Sequence, residues 1–172
     1  MTDPIDGRIG EAWAGERPNG AHLNVALARR GSAAAAAAIG ALANPRPGHV
    51  PFLACLEAGT LTRPVTVVVN KTPIEDEDTG RMIWGAGQLG IAQGVLDAVA
   101  DGVIDAEEAA EIVILVAAWA DVAAHDEAAY KQASREAMRA AVADAMNPPS
   151  AEAVRALVAR REEAANAYYE GA

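Results

Sequence analysis

Polar and apolar residues alternate clearly along Ala21–Ala28: Leu23, Val25 and Leu27 fall on one side of an extended chain, His22, Asn24 and Ala26 on the other. That period of two predicts a strand. Arg8–Ala14 is a candidate strand before it, and Glu16-Arg17-Pro18-Asn19-Gly20 between them has turn composition, so a hairpin is expected. Ser32 then precedes an alanine run, Ala33–Ala38. A serine N-cap and alanine's propensity predict a helix, whose lack of bulk suits close approach to a sheet. Asn44-Pro45-Arg46-Pro47-Gly48 ends it.

Phe52–Leu56 is short and apolar, Leu61–Pro64 turns the chain, and the β-branched run Val65–Val69 reads as a buried strand ending in Asn70-Lys71. Glu75–Gly80 is acidic and loop-like. From Arg81 to Ala100, Ile83, Leu89, Ile91, Val95, Leu96 and Val99 recur at roughly helical spacing. Gly85, Gly87, Gly90 and Gly94 in this helix cost about 1 kcal/mol each relative to alanine, which points to close backbone approach or an irregular first turn. Asp105 is a candidate cap for a short helix over Ala106–Ala109. Ile112–Ala120 opens on β-branched residues and reads as a central strand. Asp126–Met146 is helical by composition, Asn147-Pro148-Pro149 breaks it, and Ser150 caps a charged last helix running to about Tyr168 and expected to extend from the domain. The pattern implies an α/β (α+β) fold, with residues 1–147 as the domain and residues 148–172 as a charged helical extension.

Composition adds two constraints. The 172 residues fit one domain, and the 52% hydrophobic fraction supports a globular core. Only 4% is aromatic and much of the rest is alanine, so helices must pack closely. The formal net charge of -10 argues against nucleic acid or an anionic membrane, which need lysine and arginine. The polar start Met1–Gly10 lacks a signal-peptide pattern, and the longest apolar stretch, Ile112–Ala120, is too short to span a bilayer. A cytoplasmic protein is expected.

Candidate chemistry is sparse. The single cysteine, Cys55, reads as a buried small hydrophobe, and no second cysteine exists for a disulfide or zinc site. No two histidines stand at ligand spacing, and Glu75–Asp78 lacks the glycine and spaced carboxylates of an EF-hand, so no metal is expected. Gly85-Ala86-Gly87-Gln88-Leu89-Gly90 matches a dinucleotide fingerprint, but no strand runs directly into it. Of three histidines, His22 stands out. It shares the polar strand face with Asn24, and imidazole transfers protons near neutral pH. A lone strand histidine is more often a surface group, so periodicity alone does not make it catalytic. Lys71 ends the VTVVV strand, either as a solvated edge residue or as a cation over a cleft. Gln88, at the glycine-rich helix start, has an amide able to read a ligand or simply face solvent.

These pieces occur in a fixed order: Gly10-Glu11-Ala12, Ala21-His22-Leu23-Asn24, Arg30-Gly31-Ser32, Asn70-Lys71, Gly85-x-x-Gln88-x-Gly90-x-Ala92, and Asp97 to Ile104. The chain from Gly10 to Met146 resembles the formaldehyde-activating enzyme family. The resemblance implies an antiparallel-rich sheet covered by helices, like the second domain of the fifth small-subunit ribosomal protein. It also implies a homopentamer with a pterin cleft between subunits. The implied reaction is condensation of formaldehyde with the co-substrate tetrahydromethanopterin, giving methylene-tetrahydromethanopterin and water without a metal. The amine adds to formaldehyde, the carbinolamine hydroxyl leaves as water on protonation, and the second nitrogen closes the ring.

By resemblance, His22 is the acid, and Asn24, Leu53, Lys71 and Gln88 meet the pterin, Leu53 by packing and Lys71 and Gln88 by polar contact. The family pattern has aspartate at Asn24, where a carboxylate would favour a protonated imidazole more than an amide does. It has histidine at Leu89, and a polar residue is expected at Pro73. These departures leave a second reading, a non-catalytic or altered-specificity relative that binds pterin or formaldehyde, and an unrelated assembly protein is a third.

Overall fold

The computed structural model describes residues 5–163. Strand β1 (Arg8–Ala14) and strand β2 (Ala21–Arg29) form the expected hairpin, antiparallel from Arg8↔Leu27 to Ala14↔Ala21. Helix α1 (Ala33–Gly40) follows, with the Ser32 side chain accepting from the Ala35 amide at 3.1 Å. Ala35 and Ala38 bury against Ala28 and Val113, so the alanine run does lie flat on the sheet.

Short strands β3 (Phe52–Leu53), β4 (Cys55–Glu57) and β5 (Thr60–Leu61) precede β6 (Val65–Asn70). The last strand, β7 (Ile112–Ala120), is central: the sheet order is β1-β2-β7-β6-β3. Only β6 and β7 run parallel, so the sheet is antiparallel-rich. Ile114, Val116 and Ala118 of β7 are buried on the helical side, while Leu115, Ala117 and Trp119 on the other side are only half-buried.

One side of the sheet carries the main core. Leu23, Val25, Leu27, Ile114 and Val116 pack there against helix α3 (Gln88–Ala100) and helix α4 (Glu127–Met146). The Asp126 side chain caps α4 by accepting from the Ala129 amide at 3.0 Å. The α3 glycines are explained by close packing: a Cβ at Gly90 would lie 2.2 Å from the Lys131 carbonyl oxygen, and one at Gly94 2.5 Å from that of Arg135. Arg135 Nε and Arg139 Nε clamp the same pair of helices by reaching Asp97 and Asp101, each at 2.5 Å.

Several local expectations change. The acidic stretch is not a loop throughout: Asp76 caps helix α2 (Glu77–Gly80), accepting from the Thr79 amide at 2.7 Å, and carboxylates in a first turn suit the helix dipole. That helix continues through a π-helical segment, Arg81–Gly87, into α3, so the expected irregular start is a widened turn. GAGQLG is therefore helical and forms no phosphate-binding turn. After Asp105, only a 3₁₀ turn forms, at Ala109–Glu111 rather than Ala106–Ala109, because the Asp105 carboxylate accepts from Glu107 within a tight turn. Cys55 is half-buried in a small two-stranded ribbon rather than in the core. The last helix, α5 (Ala151–Ala159), is capped by Ser150 and buries none of its residues. The expected continuation from residue 164 to Tyr168 lies outside the described residues.

Candidate functional site

The opposite side of the sheet carries the candidate chemistry. Period two sends His22, Asn24 and Ala26 away from the α3–α4 core, and the register aligns their neighbours into rows. One row runs Trp13, His22, Trp119; the next Glu11, Asn24, Ala117, Val69; the third Ile9, Ala26, Leu115, Val67, Leu53. Lys71 continues β6 beside the first row, its amide donating to the Ala118 carbonyl at 2.6 Å.

Four side chains form one hydrogen-bonded chain. His22 Nε2 lies 2.7 Å from Glu11 Oε1, His22 Nδ1 lies 3.0 Å from Lys71 Nζ, and Lys71 Nζ donates to Asn24 Oδ1 at 2.8 Å. An ammonium has no lone pair, so against protonated Lys71 the Nδ1 of His22 accepts and Nε2–H donates to Glu11. The two neighbours thus select one imidazole tautomer. The Trp13 ring stacks on the imidazole at 6.2 Å between centroids and meets Trp119 at 5.3 Å. His22 keeps 29% of its side chain exposed and Glu11 58%, so both remain reachable.

Lys71 is held by its neighbours along the chain. Asn70 and Thr72 point into the interior and are almost fully buried. Asn70 Nδ2 donates to the carbonyls of Gly48 and Thr72, both at 2.7 Å, and Thr72 Oγ1 donates to the Ala120 carbonyl at 2.5 Å. His49 Nδ1 lies 2.8 Å from the Asn70 carbonyl. This buried knot fixes the backbone on both sides of Lys71, leaving its side chain to the open face. Burial holds the Lys71 amine below the ordinary lysine value, with the Glu11 carboxylate pulling partly the other way.

The predicted residues separate into three groups. His22, Asn24 and Lys71 meet directly. Leu53 faces the same side as Val67, two rows from His22. Gln88 begins α3, in the helical layer across the sheet. Sequence reasoning gave no role to Glu11, Trp13 or Trp119. The hairpin offered a signal for the first two: closing it around the Gly15–Gly20 turn sets Glu11 opposite Asn24 and Trp13 opposite His22. Trp119 required the pairing of β2 with β7, which is non-local. Among the described residues, no group of three or more His, Cys, Asp and Glu side chains is placed to hold a metal ion. No described helix is long and apolar enough to cross a membrane.

Known proteins are similar to this chain in sequence. A 5,6,7,8-tetrahydromethanopterin hydro-lyase of Methanosarcina barkeri is 37% identical over 138 residues, covering 80% of this chain and 78% of the relative. A bifunctional enzyme Fae/Hps of Archaeoglobus fulgidus is 38% identical over 112 residues, covering 65% of this chain. Another, of Methanothrix thermoacetophila, is 30% identical over 138 residues and 80% of this chain. The match spans only 28% and 35% of those two longer proteins. The family model described as "Formaldehyde-activating enzyme (Fae)" matches residues 9–169, and the chain belongs to that family.

Proposed function

We propose that this chain condenses formaldehyde with tetrahydromethanopterin, producing methylene-tetrahydromethanopterin and water. The observation that carries this reading is His22, reachable on an open face and held between Glu11 and Lys71. The reaction needs a proton for the departing carbinolamine hydroxyl. His22 supplies it from its imidazolium form and becomes neutral, and the Glu11 carboxylate at 2.7 Å is the counter-charge of that imidazolium before transfer. Glu11, across the strand pair, thus supplies His22 with a carboxylate neighbour while position 24 carries an amide. Asn24 instead accepts from Lys71 and keeps the amine directed at the site. Leu53 packs on the pterin, and Lys71 and Gln88 serve its polar groups.

These residues lie on two sides of one chain, so a ligand touching all of them must lie between two copies. Exposed Ile9 and Trp13 on the open face, and Trp84 at the π-helical turn, are apolar surface suited to such a contact. A cytoplasmic homopentamer with intersubunit sites is the assembly we propose, with residues 1–147 forming the domain and residues 148–172 a helical extension.

The test is methylene-pterin formation from formaldehyde and tetrahydromethanopterin, followed with and without protein. A saturable excess over the spontaneous rate is expected. Pterin binding with no excess would sink the enzyme reading and favour a carrier.

A further inference from the structure

We infer that Lys71 is a covalent nucleophile that captures formaldehyde as an iminium before the carbon is passed on. Only the choice of electrophile rests on the function proposed above. Lys71 Nζ stands 3.0 Å from an imidazole nitrogen that can take its proton, and that imidazole is backed by Glu11 at 2.7 Å. Lysine, histidine and glutamate in line form a relay suited to making a neutral amine. The amine is partly buried and its proton is held less tightly than in an ordinary lysine. The Asn70 and Thr72 anchors fix the backbone from which it projects, and Asn24 Oδ1 accepts from the amine at 2.8 Å. A lysine needed only for charge attraction would gain nothing from a proton acceptor at its nitrogen.

The steps balance. Lys71 gives one proton to His22 Nδ1 and its nitrogen lone pair attacks the formaldehyde carbon, while the carbonyl π bond breaks. The nitrogen proton moves to the new alkoxide, giving a carbinolamine. Imidazolium then protonates the hydroxyl, which leaves as water as the carbon–nitrogen double bond forms. The acceptor's two nitrogens each bond to that carbon, and the Lys71 carbon–nitrogen bond breaks. Their two protons join the one on the iminium nitrogen, restoring the ammonium. No oxidant or reductant is consumed.

The chain has only two lysines, Lys71 and Lys131, so Lys131 on α4 is an internal reference. Intact protein is treated at pH 7 with carbon-13 formaldehyde and sodium cyanoborohydride, without pterin, and methylated peptides are quantified by mass spectrometry. Lys71 is expected to be labelled ~10-fold or more faster than Lys131. A folded His22→Asn variant should lose most of that preference at pH 7. Equal or faster labelling of Lys131 at pH 7 would overturn the inference, even if the protein catalyses condensation. Preferential labelling without condensation would uphold it while the proposed pterin reaction fails. In a second arm, Lys71→Arg keeps the charge but cannot form the iminium. It should lose ~100-fold or more of any excess condensation rate, and retention of that rate would also overturn the inference.

Discussion

The two faces of the sheet are built from the same strands and do opposite work. On one, Leu23, Val25 and Leu27 of β2 meet α3 and α4 and are sealed from water. On the other, His22 and Asn24 of the same strand meet Glu11 and Lys71 in a half-open polar chain. A displacement of one residue moves a side chain from the interior to the site. The helical face tolerates almost no added volume, as Gly90 and Gly94 show. The open face carries aromatic rings and titratable groups that stay partly exposed. Stability and chemistry are therefore separable by strand parity.

The sharpest way to break this comparison is to change adjacent residues of β2. His22→Ala should lower the catalysed excess rate by ~100- to 10,000-fold, as loss of a general acid does, while leaving the denaturation midpoint almost unchanged. Leu23→Ala should cost about 2–5 kcal/mol in denaturant titration, with the folded fraction still active. Collapse of the fold in the first variant, or full stability in the second, would contradict the division.

A smaller effect sharpens the open face. Glu11→Gln removes the charge that raises the Lys71 pKa, so the Lys71 titration should move further down. With only two lysines, carbon-13 NMR at Cε resolves it. An upward movement would show that Glu11 does not act on Lys71 as its position implies. The same variant should lose ~10-fold of the excess rate through poorer stabilisation of imidazolium.

The smallest effect lies on the helical side. Arg135 holds the Asp97 carboxyl below its ordinary value, chiefly through their hydrogen bonds. A depressed carboxylate contributes stability that is full above its unfolded pKa and is lost as pH falls through the folded one. Asp97→Asn should therefore cost about 0.5–1 kcal/mol at pH 7, and the difference from the parent should close at acid pH below the ordinary carboxylate range. Thermal melts over pH 2.5–7 read this directly. A gap that persists unchanged to pH 2.5 would assign the loss to packing instead of charge.

Much of the fold was legible because its signals are local. Alternation in Ala21–Ala28 marked β2 and the correct sides of Leu23 and His22, and Ser32 and Ser150 were readable as caps. The β-branched start of Ile112–Ala120 identified the central strand, and the glycines of α3 announced a close neighbour. Asp76 was missed as a cap because four acidic residues in sequence also describe a solvated loop, and only its bond to the Thr79 amide distinguishes them. At the site, parity alone placed His22 with Asn24, and the family resemblance added Lys71.

Tertiary structure decided what those residues touch. His22 and Lys71 are 49 positions apart and meet only because β7 inserts between β2 and β6. Glu11 becomes the partner of His22 through hairpin register, and Lys71 acquires its weakened hold on a proton through burial. Periodicity and capping are read over a few neighbouring residues, so the sequence carries them openly. Strand order, register and desolvation depend on contacts between distant segments, and they exist only once the chain has closed its core.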